Sequence, residues 1–225
     1  MPRMDGRVPA APKSVTMRRA ALALAALLAA AALAACAGEI RRRTPPFVDA
    51  RGALVPSSIA VMERMDLDGS LQDVWIRGLD TRNPVLVLLH GGPGASESAL
   101  FRRFVPQLEQ HFTVVYWDQR GTGRSWLPAA KREALSTEQL LRDLHVLVDR
   151  VTRTLGKRQV VLLGHSWGTV LGVFYSARHP GRVQHYIGVA QVVNTVEGQR
   201  IEQQFIRAQA AARQDEETLR EIEGF

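Results

Sequence analysis

The chain has 225 residues, 46% of them hydrophobic, which suits one globular domain with a buried core and excludes a disordered or collagen-like polymer. The formal net charge of +7 is concentrated at one end, with eight Arg and Lys against three Asp and Glu in residues 1–50 and 21 against 19 in the rest. A nearly neutral body without a basic stripe argues against a nucleic-acid partner.

Residues 1–36 account for much of the charge asymmetry. Met17-Arg18-Arg19 precedes an unbroken apolar run from Ala20 to Ala35 that ends at Cys36. This is a positive n-region and an h-region of signal-peptide length, shorter than the roughly 20 residues that span a bilayer. Leu33-Ala34-Ala35-Cys36 resembles the lipobox of bacterial lipoproteins, whose cysteine is acylated and becomes the N-terminus after cleavage. Cys36 is the only cysteine, so it has no internal disulfide partner. The resemblance implies a bacterial envelope location, anchored by lipid and facing the periplasm or the exterior, with secretion as the alternative. Residues 1–16 read as an upstream extension, with Met17 as the start that the charged n-region favours over Met1. Residues 37–56 are charged and contain Pro45-Pro46, and they read as a tether to the domain.

From 57 to 193 strand-like and helix-like segments alternate, the pattern of an α/β fold with a mostly parallel sheet flanked by helices. Segments 59–66 and 71–79 flank Asp68-Gly69, a hairpin pair, so two antiparallel strands open the sheet. Residues 84–89 form a short all-apolar run, as in a strand covered on both faces. A helix is expected over 97–110 and a strand over 112–117. Residues 137–155 carry Leu140, Leu141, Leu144, Leu147, Val148 and Val151 near one face of an amphipathic helix. A strand at 159–163, a helix at 167–178 stopped before Pro180 and a strand at 183–189 follow. Residues 194–225 turn polar and helical.

Gly164-His165-Ser166-Trp167-Gly168 lies where the strand at 159–163 meets the next helix, the context that a G-x-S-x-G nucleophile elbow requires. A tight strand-to-helix turn strains the serine backbone, and flanking glycines remove the Cβ atoms that would clash. The Ser166 hydroxyl then projects above the sheet, and the helix start offers free N–H groups to a developing oxyanion. His90-Gly91-Gly92-Pro93-Gly94 follows the preceding buried strand, where a second oxyanion donor belongs. The expected donors are the N–H groups of Trp167 and Gly92, with Gly91 the alternative. Neither phosphate-cradle spacing, G-x-x-x-x-G-K-[ST] or G-x-G-x-x-G, is met. In Asp118-Gln119-Arg120-Gly121-Thr122-Gly123-Arg124-Ser125 the glycines permit tight turns, and Asp118 and Arg120 are expected to tie loops together.

These three motifs, in this order, resemble the α/β-hydrolase superfamily, and HGGPG, DQRGTGRS and S-W-G together resemble its prolyl-iminopeptidase-like branch of serine aminopeptidases. The resemblance spans about residues 55–200. It implies Ser166 as nucleophile, Gly92 and Trp167 as oxyanion donors, a small peptide or ester substrate and no metal or cofactor. In that fold an acid and then a histidine follow the nucleophile along the chain, after a helical cap. After Ser166 come only His179 and His185, at a helix end and within a strand, and the only later aspartate is Asp215. His165 should point away from Ser166, His90 belongs to the glycine-rich turn, and His111 and His145 fall on helices. The acid and base of the triad are therefore expected to be absent, with the fold truncated where a cap would begin, at 194–225. A carboxylesterase or lipase-like hydrolase, or a non-catalytic vestigial envelope lipoprotein, is the alternative function.

Overall fold

The computed structural model describes residues 44–126 and 135–223. The leader, Cys36 and residues 37–43 of the tether lie outside the described residues. The sheet and its helices belong to the unit Pro45–Phe225.

Six strands form one sheet: β1 (Ile59–Leu67), β2 (Ser70–Gly78), β3 (Val85–Leu89), β4 (Thr113–Trp117), β5 (Val160–His165) and β6 (Val183–Val189), in the order β1-β2-β4-β3-β5-β6. β1 and β2 are antiparallel, and β2 pairs antiparallel with β4; β4, β3, β5 and β6 run parallel. Asp68 and Gly69 both take positive φ, 49° and 79°, which sets the twist of a two-residue hairpin. Alternation along β3 divides the core. Val85, Val87 and Leu89 pack on one face with Leu144, Leu147, Val148 and Leu171, whereas Leu86 and Leu88 pack on the other with Val114, Tyr116 and Val161. A strand buried on both faces has no polar alternation to show, as its sequence indicates.

The helices are α1 (Ser98–Phe104), α2 (Leu108–His111), α3 (Thr137–Thr154), α4 (Trp167–Arg178), α5 (Thr195–Ala212) and α6 (Glu216–Glu223). All six apolar positions that define the α3 stripe are buried, and Ser136 caps the helix by accepting the Gln139 N–H at 3.2 Å. The single helix expected over 97–110 is instead two. α1 stops before Val105, which precedes Pro106 and takes φ −132° and ψ 47°, since a residue before proline is pushed out of the helical region.

The expected tether gives way to a small hairpin from Phe47, where Val55 N–H donates to Phe47 O. Arg77 on β2 holds it, donating to Pro45 O at 2.6 Å and lying 4.7 Å from the Phe47 ring centroid. At the far edge β6 is poorly covered, with Ile187 and Val189 exposed. Among the described residues no helix is long and apolar enough to cross a membrane.

Candidate active site

Ser166 sits at the junction of β5 and α4 with φ 50° and ψ −119°. A positive φ is costly for a residue with a Cβ, and it persists only where the surroundings enforce it. Here the enforcement is visible. Ser166 N–H donates to Val189 O on β6 at 2.9 Å, and Ser166 O accepts the Thr169 N–H at 2.9 Å and the Thr169 hydroxyl at 2.6 Å. Close packing of α4 on β3 completes it, because a Cβ on Gly168 would collide with the Leu89 carbonyl oxygen.

The glycine-rich loop after β3 abuts the same serine. A Cβ built on Gly91 would lie 3.2 Å from Ser166 Cβ. Gly91 is buried and its N–H donates to Glu97 Oε2 at 3.2 Å. Gly92 is exposed, has φ 111°, and its N–H makes no hydrogen bond among the described residues. A side chain at Gly92 would press on the Gly94 nitrogen at 2.5 Å, so this position takes only glycine. Of the two loop glycines, Gly92 thus offers the available donor. Trp167 N–H opens α4, where first-turn donors have no partner within the helix. The Trp167 indole Nε1 is buried without a partner among the described residues.

The loop of residues 118–125 is held as its sequence suggests. Asp118 accepts from Ser96 Oγ at 2.5 Å, Ser98 Oγ at 2.8 Å and the Arg124 N–H at 2.9 Å. Arg120 donates to both oxygens of Asp143 and to Leu67 O and Asp68 O. Ser125 is fully buried and donates to Asp118 O, which removes it from substrate contact. A cavity of about 660 Å³, lined by Pro93, Gly94, Thr122, Leu135, Leu140 and Trp167 among others, opens beside the elbow. A groove of about 390 Å³ is lined by Trp167, Val170, Phe174, Val193, Thr137 and Thr195 among others.

All six histidines fall within the described residues, and none hydrogen-bonds the Ser166 hydroxyl. His90 is buried, with Nδ1 on Gly91 O at 3.0 Å and Nε2 accepting the Gln119 N–H at 3.2 Å. That pattern assigns a neutral ring, and burial pushes its pKa below the ordinary value. His145 and His179 stack on each other at 4.4 Å between ring centroids, away from the elbow. His111 and His185 are exposed. His165 turns to Glu97, with Nδ1 and Oε1 2.7 Å apart. Glu97 is the one participant that sequence reasoning misses: it falls in no motif, and its partners lie six and 68 residues away. Among the described residues no cluster of three His, Cys, Asp or Glu could hold a metal.

A serine on a strained strand-to-helix turn, with a glycine-rich loop against it and a mostly parallel sheet beneath, is the architecture of the α/β-hydrolase fold. Residues 84–220 match the alpha/beta hydrolase fold family, and the chain belongs to it. The probable aminopeptidase YbaC of Bacillus subtilis is 34% identical over 150 residues, 67% of this chain and 47% of that protein. Epoxide hydrolase 3 of Xenopus tropicalis is 34% identical over 120 residues, 53% of this chain and 31% of that protein. The crystal structure of a proline iminopeptidase-related protein from Thermus thermophilus superposes with a TM-score of 0.53 at 29% identity, covering 60% of this chain and 46% of that one. The aminopeptidase and iminopeptidase-related proteins support the prolyl-iminopeptidase-like branch. The chain spans less than half the length of these relatives.

Proposed function

We propose that this chain supplies the nucleophile and oxyanion hole of a serine hydrolase, an aminopeptidase of the prolyl-iminopeptidase type. The observation that carries the proposal is Ser166 at φ 50° between β5 and α4 with Gly91 packed on it. Ser166 attacks a carbonyl carbon, and the N–H groups of Trp167 and Gly92 receive the developing oxyanion. Occupation of the Gly91 N–H by Glu97 favours Gly92 over Gly91 as the second donor. Losing one such donor costs about 100- to 1000-fold in rate. No histidine among the described residues hydrogen-bonds the Ser166 hydroxyl, and the acid and base of the triad are assigned to no residue of this chain.

The epoxide hydrolase relative offers a second chemistry, which Ser166 argues against. Opening an epoxide with a serine oxygen leaves an alkyl ether, with no carbonyl for water or an oxyanion hole to act on. Acyl transfer leaves an ester that water cleaves, so the nucleophile turns over. A product of the same reading frame that carries a downstream Asp and His should label with a fluorophosphonate probe and lose the label in Ser166→Ala. No labelling of such a product would sink the hydrolase reading. Turnover of proline-β-naphthylamide against p-nitrophenyl esters then separates peptidase from esterase.

The leader fits an envelope lipoprotein in this proposal. Met17-Arg18-Arg19, the apolar run and Leu33-Ala34-Ala35-Cys36 support acylation at Cys36. Metabolic labelling with a fatty-acid analogue should mark the protein and spare Cys36→Ser, and equal labelling of both would refute the anchor.

A further inference from the structure

Glu97 joins the two halves of the site. Its Oε2 accepts the N–H of Gly91 in the loop after β3, and its Oε1 meets Nδ1 of His165, the last residue of β5 before the nucleophile. The Glu97 side chain is 14% exposed, and Ser166 Cβ and Glu97 Oε1 lie 3.2 and 3.3 Å from the point where a Cβ on Gly91 would stand. Two donors thus converge on one carboxylate, and both of its oxygens serve as acceptors. That role sets the imidazole. With its Nδ1–H given to Glu97, the neutral His165 ring carries its lone pair on Nε2. Nε2 has no partner among the described residues and the side chain is 35% exposed, whereas both ring nitrogens of His90 are engaged.

We infer that Glu97 is a positioning residue of the hydrolytic site. It withdraws the Gly91 N–H, leaves Gly92 as the loop's oxyanion donor, and fixes His165 in the Nδ1–H tautomer with an open acceptor at Nε2. The catalytic meaning rests on the hydrolase reading above; the two bonds do not.

Glu97→Gln tests it, because the variant keeps the size but has one acceptor oxygen and one NH2. If the amide oxygen stays on the Gly91 N–H, the NH2 faces Nδ1 and His165 must change to the Nε2–H tautomer. If the oxygen turns to His165, the Gly91 N–H loses its acceptor. In nitrogen-15 NMR the wild type should show the Nδ1–H tautomer and a Gly91 amide exchanging about tenfold more slowly than that of Gly92. Glu97→Gln should lose one of these signatures and Glu97→Ala both, with circular dichroism reporting the fold. A Gln variant that keeps both, an Ala variant that keeps either, or a wild type in the Nε2–H form overturns the inference. Should the variants unfold, the wild-type tautomer and exchange ratio decide alone. None of these readouts needs a reactive serine. Absent probe labelling would therefore sink the hydrolase reading alone, and unchanged spectra would sink the positioning role alone.

Discussion

Gly168 and Ser166 divide the work of the elbow, one permitting the close approach of α4 to β3 and the other bearing the backbone strain. Gly168→Ala forces its methyl into the Leu89 carbonyl, and the helix must shift. The expected loss is about 1–3 kcal/mol, as for overpacking elsewhere, read as a lower urea midpoint at unchanged slope. An unchanged midpoint would mean that α4 has room to move. His90 sets a pH dependence. Burial lowers its pKa in the fold below the ordinary 6.5, so the unfolded chain binds the extra proton first. Stability is then full above about pH 6.5 and falls as pH drops through that value toward the folded one. Denaturation curves at successive pH values should show this slope, and His90→Gln should flatten it. The elbow was legible in the sequence because its geometry is local, five residues between a strand and a helix. Glu97 was not, because its role comes from a bond across 68 residues that no periodicity encodes.

α3 is tied to the sheet by one buried carboxylate as well as by its leucine stripe. Asp143 accepts from Gln72 Nε2 at 2.8 Å, Gln72 Oε1 accepts from Trp117 Nε1 at 2.8 Å, and Arg120 completes the network. Asp143→Ala would leave the Arg120 guanidinium, whose side chain is 15% exposed, with only the Leu67 and Asp68 carbonyls as acceptors, and cost about 3–5 kcal/mol. Asp143→Ala with Arg120→Met should recover part of it, and equal losses in single and double variants would deny the coupling. The apolar stripe of α3 and the Asp68-Gly69 hairpin could be read from periodicity and turn chemistry. Pro106 was also in plain view, yet residues 97–110 read as one helix where the residue before proline ends it. The hairpin from Phe47 escaped because charge and proline content look the same in a tether and in a segment pinned by a distant arginine.

Across the sheet as a whole, the parallel half ends at β6, which no further strand covers among the described residues. VQHYIGV contains no Lys, Arg, Asp or Glu, and Ile187, Val189, Val193, Val196 and Phe205 are exposed around it. Such an edge invites pairing with another strand. Sedimentation of this chain should show concentration-dependent association, reduced by Ile187→Lys; a monomer at all concentrations would contradict the exposed edge. The same end of the sheet lies next to Ser166, through its N–H on Val189 O, so the proposed nucleophile is braced against this edge strand. Among the described residues the elbow is formed and no histidine hydrogen-bonds the Ser166 hydroxyl, so the proposed nucleophile has no activating base there. Fluorophosphonate labelling of the purified 225-residue chain beside Ser166→Ala puts that to the test. Labelling indistinguishable between the two is predicted, and stoichiometric labelling that vanishes in Ser166→Ala would contradict it.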